Sequence, residues 1–239
     1  MSEVKSVARR GDLFGQRVRE HCAGQPIRRL DVLVAGCAYD EPLVLDHIEI
    51  RATGVDEDLP AIRKVLEERA DLVAWSLGDL RSVALPPRSF DVIQLSFLLE
   101  RVHHAELVLD RLLRALRPGG LVLLRMRDRK SAYGLLDRMT PPFLRRLLWP
   151  AMVPAGTPGP LPAVYEPLAS GDGMHAFCLS RGLMITDDRR TTSGPARSRR
   201  LGAAAVAMMS NLTSGRFPSS HDEITMVIRK PQHHFARLI

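Results

Sequence analysis

The chain has 239 residues, 45% of them hydrophobic, enough to bury the core of one α/β domain, whereas two independent domains would each be small. Its net charge of +7 gives a basic surface, but only Lys5, Lys64, Lys130 and Lys230 of the 34 basic residues are lysine; this diffuse arginine excess, with no aromatic-studded basic stripe, argues against a nucleic-acid track. Cys22, Cys37 and Cys178 are far apart and form no Cys-x-x-Cys, no apolar run reaches the roughly 18 residues of a membrane span, and residues 1–20 lack a signal-type apolar core; a cytoplasmic protein without disulfide framework, metal site or transmembrane segment is expected.

The spacing of Val4, Val7, Leu13, Phe14 and Val18 predicts a lead-in helix over 3–21, placed to cover a sheet edge or close over a pocket. Five strands follow. Apolar runs place them at Leu30–Ala35, Ile50–Val55, Leu72–Trp75, Asp91–Phe97 and Leu121–Met126, with helices at Leu59–Ala70 and His104–Leu116, the latter stopped by Pro118 and Gly119-Gly120. Strands alternating with helices over about a hundred residues call for a parallel sheet with right-handed crossovers. The rhythm then changes: a helical piece at Leu135–Trp149 runs into Pro150, Pro154, Pro158, Pro160, Pro162 and Pro167, which cannot form regular sheet. A helix at Gly173–Arg181, a strand at Leu183–Thr186, an alanine-rich helix at Arg199–Met209 and a strand at Glu223–Arg229 complete the chain.

This divides the molecule into an N-terminal helix (1–25), a ligand-binding half (26–130), an insertion or cap (131–170) and a C-terminal completion of the sheet (171–239), all within one domain. In open α/β sheets ligands bind where strands end at their carboxyl termini. Glycine at Gly36 suits the turn after the first strand, where backbone must be approached closely; an ordinary tight turn is the plain alternative. Asp56, twenty residues on, stands where a carboxylate accepts both hydroxyls of a ribose, or else helps to cap the next helix, a role that suits Asp58 better.

The order Leu-Asp-Val-Leu-Val-Ala-Gly-Cys-Ala-Tyr-Asp (30–40), Ala-Thr-Gly-Val-Asp (52–56), Gly-Asp-Leu (78–80), Phe-Asp-Val-Ile-Gln-Leu-Ser (90–96) and Leu-Arg-Pro-Gly-Gly (116–120) resembles the class I, Rossmann-like S-adenosylmethionine-dependent methyltransferases. The glycine-rich motif is degenerate: Val34 replaces the acidic residue, Gly36 is kept, and Ala38 and Asp40 stand where the next two glycines would be. The resemblance implies a mostly parallel seven-stranded sheet with helices on both faces and an insertion after the fifth strand. It implies S-adenosylmethionine as cofactor, held by Gly36, Cys37 and Ala38 after the first strand, Asp56 and Glu57 after the second, Asp79 and Leu80 at the adenine, and Ser96 at the end of the fourth. Asp91 is expected to cap a turn.

Where relatives carry Glu-His, the chain reads Leu99-Glu100-Arg101-Val102-His103-His104. His103 and His104 are either a solvated helix start or a general base at the pocket mouth. Residues 128–142 resemble an insertion of some bacterial small-molecule and lipid-directed methyltransferases, and Tyr133, Phe143, Trp149 and Tyr165 either line an acceptor pocket or anchor it. Three functions follow from these residues. An active methyltransferase acting on a small-molecule or lipid-like acceptor comes first, and a catalytically silent binding or regulatory relative second. A nicotinamide-dependent enzyme would need the second and third glycines that are missing. The absence of an Asn-Pro-Pro-aromatic run argues against methylation of base amino groups.

Overall fold

The computed structural model describes residues 13–23, 29–39, 42–152, 159–192 and 200–232. Seven strands, β1 (Arg29–Ala35), β2 (Glu49–Asp56), β3 (Leu72–Leu77), β4 (Phe90–Ser96), β5 (Leu116–Arg127), β6 (Met184–Thr191) and β7 (Glu223–Arg229), form one sheet in the order β3-β2-β1-β4-β5-β7-β6. The ladders from β3 to β5 are parallel, and β7 runs antiparallel to both neighbours. The polarity of the chain explains the positions: β1, β4, β5 and β7 are almost wholly buried, while β3 and the charged β6 present mostly exposed residues at the two edges.

Alternation along the central strands sends side chains to two cores. Leu33, Ala35, Ile93, Leu95, Val122, Leu124 and Met226 pack with α3 (Ala105–Ala115) and α6 (Gly171–Arg181). Val32, Val34, Val92, Leu121, Leu123 and Val227 pack with α1 (Leu13–Cys22) and α2 (Pro60–Glu67). Thus α1 lies across a sheet face rather than over an edge or pocket, tied at its middle by Arg17 to Asp187 of β6 at 2.7 Å. The residues of the predicted lead-in helix before Leu13 lie outside the described residues.

Several boundaries differ from the sequence reading for local reasons. The predicted helix over 135–149 is two helices, α4 (Ala132–Met139) and α5 (Pro142–Met152), because Pro141-Pro142 forces the preceding backbone out of the helical region. Strand β5 pairs from Leu116, with Arg117 to Gly120 bulged out between its pairings to Phe90 and Val92. Asp58 does not cap α2: the N-cap is Leu59, and the Asp58 carboxylate instead takes Arg63 at 2.7 Å. Asp91 caps no turn either; it accepts from the Asp31 backbone N–H at 3.0 Å and pairs with Arg117, tying β1, β4 and β5 at their amino ends. The alanine-rich helix, α7 (Arg200–Leu212), packs on α4 through Val206, Ala132 and Tyr133. Arg199, Pro154 and Pro158 lie outside the described residues.

Candidate functional site

The loops leaving the carboxyl ends of β1, β2, β3 and β4 converge where the strand order reverses between β1 and β4. This is the crevice in which doubly wound sheets hold their ligands. Gly36 takes φ +79°, and a Cβ there would stand 2.5 Å from the Ser96 carbonyl oxygen, so neither the conformation nor the space admits a side chain. Its N–H bonds the Val55 carbonyl, locking the turn to β2. A 3₁₀ turn, Cys37–Tyr39, continues the chain; Asp40, the other position of a missing glycine, lies outside the described residues.

Asp56 ends β2 fully buried. Its carboxylate takes Arg101 Nη2 at 2.6 Å on one oxygen, and on the other accepts the Ala38 N–H at 3.3 Å, with the Cys37 sulfur at 4.0 Å. Arg101 is equally buried and also donates through Nε to the Phe97 carbonyl at 2.9 Å. One ion pair therefore crosslinks the turns after β1, β2 and β4. Nothing in the sequence but the arginine following Glu100 could have signalled it. Burial, aided by the neighbouring Asp56, raises the Cys37 thiol well above its ordinary range, so it is a packing group rather than a nucleophile.

Glu57 lies beside this pair and is partly exposed. Its Oε2 accepts no hydrogen bond among the described residues and stands 3.9 Å from Arg101 Nη1. Burial raises its pKa, opposed by Arg101. Asp79, beyond β3, is exposed and gripped by Arg81 at 2.9 Å, while Leu80 turns into the core. Ser96 is fully buried at the end of β4. His103 and His104 are exposed at the mouth, His103 within electrostatic reach of Glu57 and His104 of Asp79. The eight residues expected at the cofactor lie at or just beyond the carboxyl ends of β1 to β4, with Leu80 turned into the core.

Beyond the carboxyl ends of β4 and β5 lies a second group of buried polar residues, centred on Glu100 and Arg127. Glu100 is buried, its pKa pushed up to about 7 by desolvation, with Oε1 accepting the Arg127 N–H at 3.3 Å. The Arg127 guanidinium sits 4.9 Å from the Phe97 ring centroid and 5.2 Å from that of Tyr133, and pairs with Asp222 at 2.5 Å. Tyr165 donates to Asp137 at 2.9 Å, and Asp137 pairs with Arg145 at 3.0 Å. Tyr133 and Tyr165 are therefore anchors of the insertion, while Phe143 projects outward. A cavity of about 250 Å³ lies on the sheet face beside Val32, Val34, Leu43, Ala52 and Gln94, and adjoins the turn after β1 through Arg69, which lines it and donates to the Cys37 carbonyl at 2.7 Å.

The donor set suits a nucleoside with an amino-acid tail at two points: a glycine turn that a Cβ would fill, and a carboxylate oxygen of Glu57 left without a hydrogen bond. It does so less well at Asp56, whose carboxylate is already taken.

Residues 30–124 match a family model described as a methyltransferase domain. A probable S-adenosylmethionine-dependent methyltransferase of Mycolicibacterium smegmatis is 31% identical over 142 residues, 59% of this chain; the match spans 52% of that protein, about half its length. A provisional sarcosine dimethylglycine methyltransferase from Galdieria sulphuraria superposes with a TM-score of 0.57 at 15% identity, over 92% of this chain and 86% of its own. A phosphoethanolamine N-methyltransferase from Haemonchus contortus, in complex with S-adenosyl-L-methionine, gives 0.51 at 14% identity, over 93% of this chain and 53% of its own. At such identities the two structures establish the fold alone.

Proposed function

We propose that this chain, whose residues 30–124 match a methyltransferase-domain model and whose motifs resemble the class I, Rossmann-like S-adenosylmethionine-dependent methyltransferases, binds S-adenosylmethionine at the β1–β4 crevice and transfers a methyl group to a small-molecule or lipid-like acceptor. The observation that carries the reading is the Gly36 turn set against Glu57 at the carboxyl ends of adjacent strands. In this reading Gly36, Cys37 and Ala38 meet the cofactor through backbone, and Glu57 accepts from the ribose. Asp79 and the backbone at Leu80 face the adenine, and Ser96 forms the floor. Asp56 works through Arg101: it holds the three turns in register and keeps a guanidinium under Gly36, a counter-charge for the carboxylate of the methionine tail.

When bound, S-adenosylmethionine would supply an activated methyl on a sulfonium, a good leaving group. The chain then has to exclude water and align an acceptor, and alignment alone lowers such barriers by several kcal/mol. In this reading the group of Phe97, Arg127 and Tyr133 beyond β4 and β5 forms the dry side of the crevice. His103, exposed beside Glu57, is positioned to take the acceptor's proton, and His104 stands beside it toward Asp79.

One observation favours a second reading, a silent member of the family that binds a partner instead. The Asp56 carboxylate accepts from Arg101 and the Glu57 N–H on one oxygen and from the Ala38 N–H and the Cys37 thiol on the other, leaving it no site for ribose. Calorimetric titration of the wild-type protein and Glu57→Gln with S-adenosylmethionine and S-adenosylhomocysteine separates the two. Micromolar binding weakened at least about tenfold, or 1.4 kcal/mol, by the substitution supports the cofactor site. No heat with either ligand from folded protein selects the silent reading.

A further inference from the structure

We propose that helix α5, with the end of α4, is a docking face for an anionic lipid surface. Three of the eleven large hydrophobic side chains exposed among the described residues, Met139, Phe143 and Leu147, fall within nine residues where α4 runs into α5. That concentration is not the scatter expected of an ordinary surface. Phe143 and Leu147 are one helical turn apart on α5 and are 77% and 76% exposed, and Met139, at the end of α4, is 63% exposed. The buried side of α5 is held down by Arg145, which reaches the Leu161 carbonyl and Asp137, so the exposed rings and methyls are presented by an anchored helix.

Charge selects the occupant. From residue 129 to residue 152 the chain carries Arg129, Lys130, Arg138, Arg145 and Arg146; Lys130 pairs with Asp172 and Arg145 with Asp137, which leaves Arg129, Arg138 and Arg146 without a carboxylate among the described residues. Arg146 is exposed on the same arc as Phe143 and Leu147, and among the described residues neither it nor Arg138 pairs with a carboxylate. An apolar row flanked by unneutralised cations is the pattern of a helix lying in a membrane interface, with rings at the acyl boundary and guanidinium groups at the phosphates. A two-fold pairing with another copy of a +7 chain would set like charges against one another across the same patch. The face belongs to the insertion that leaves β5 beside Arg127, so a docked protein would hold the crevice near the surface. This inference stands apart from the methyl-transfer reading, since it uses none of the residues of the crevice.

The test is co-sedimentation of the full chain with vesicles of phosphatidylcholine alone and of phosphatidylcholine mixed with phosphatidylglycerol. Sedimentation velocity and cofactor titration are run on the same preparations. The expected result is binding to the anionic vesicles at least about tenfold stronger than to neutral ones, falling as salt rises from about 0.1 to about 1 M. Phe143→Ser with Leu147→Ser should abolish it and Arg146→Glu should remove the preference for anionic lipid, while circular dichroism and thermal stability stay unchanged, since all three side chains are exposed. Absence of binding to either vesicle, or binding that the double substitution leaves intact, overturns the proposal. So does a dimer that the same substitution dissolves, which would assign the face to a second copy. A protein that binds vesicles but not S-adenosylmethionine refutes the cofactor reading alone.

Discussion

Removing the Asp56 carboxylate strands the Arg101 guanidinium in a fully buried position. Asp56→Ala is therefore expected to cost about 3–5 kcal/mol of stability, the usual penalty for leaving one partner of a buried ion pair, and urea unfolding measures it. Glu57→Gln, where the Oε2 atom accepts no hydrogen bond among the described residues, should leave the midpoint nearly unchanged while weakening cofactor binding, so the two neighbouring acids separate by readout. The sequence made their location legible, because an acidic residue after a second parallel strand has one place to go. The Arg101 bond was illegible, because it joins residues 45 positions apart through a geometry no spacing encodes. Glu100 adds a pH signature. Its folded pKa of about 7 lies above the ordinary carboxylate value, so the folded state holds the proton more tightly than the unfolded one. Its contribution is fully present at low pH and is lost as pH rises from about 4.5 to about 7, by about 3 kcal/mol at 1.36 kcal/mol per pH unit. Glu100→Gln should flatten the stability profile across that window; a profile unchanged by the substitution would show the carboxyl to be solvated.

At the scale of elements, the sequence reading placed every strand and misjudged the joints. Long apolar runs force burial on both faces, which fixes β1, β4 and β7 whatever their neighbours do. Joints depend on partners distant in sequence, and α3 shows this at both ends. Its first backbone N–H groups are capped not by a preceding side chain but by Glu166, which accepts from His104 and Ala105 at 2.7 and 2.9 Å. Its last carbonyls are taken by Lys230, through Leu113 and Leu116 at 2.6 and 2.7 Å. A carboxylate on a helix N-terminus is favoured by both the free N–H groups and the helix dipole. Glu166→Ala should accordingly cost about 1 kcal/mol, measured by denaturant unfolding. The loss should also loosen the segment around Tyr165, whose N–H and that of Val164 both bond the Glu100 carbonyl. If stability is unchanged, water replaces the cap without penalty and the segment is not held by it.

At the scale of the whole molecule, the described residues offer a ligand two adjoining places on the sheet, joined where Arg69 of the second donates to the Cys37 carbonyl beside the first at 2.7 Å. One is the row of turns after β1, β2 and β3, which holds Gly36, Glu57 and Asp79. The other is the cavity of about 250 Å³ on the sheet face, lined by Val32, Val34, Ala52 and Gln94. Strand polarity distinguishes them: at the carboxyl ends the chain leaves the sheet in turns whose N–H groups bond neighbouring turns, as Gly36 does to Val55 and Ala38 to Asp56, and whose carboxylates Glu57 and Asp79 lie beyond the strands, whereas mid-strand backbone in β1 and β2 is spent on the parallel ladder. A nucleoside with a charged tail needs the former, since the cavity wall is largely aliphatic. Saturating S-adenosylhomocysteine at about a hundred times its Kd should stabilise the fold by about 2.7 kcal/mol through mass action. Amide exchange should slow at residues 36–38, 56–57 and 79–80. Exchange at Val32, Val34 and Ala52, already held by the ladder, should change only as much as global stability does. Protection centred instead on Leu43, Val44 and Arg69 would move the binding site to the cavity, and the crevice with its Asp56–Arg101 pair would then be a structural clasp closing the end of the sheet.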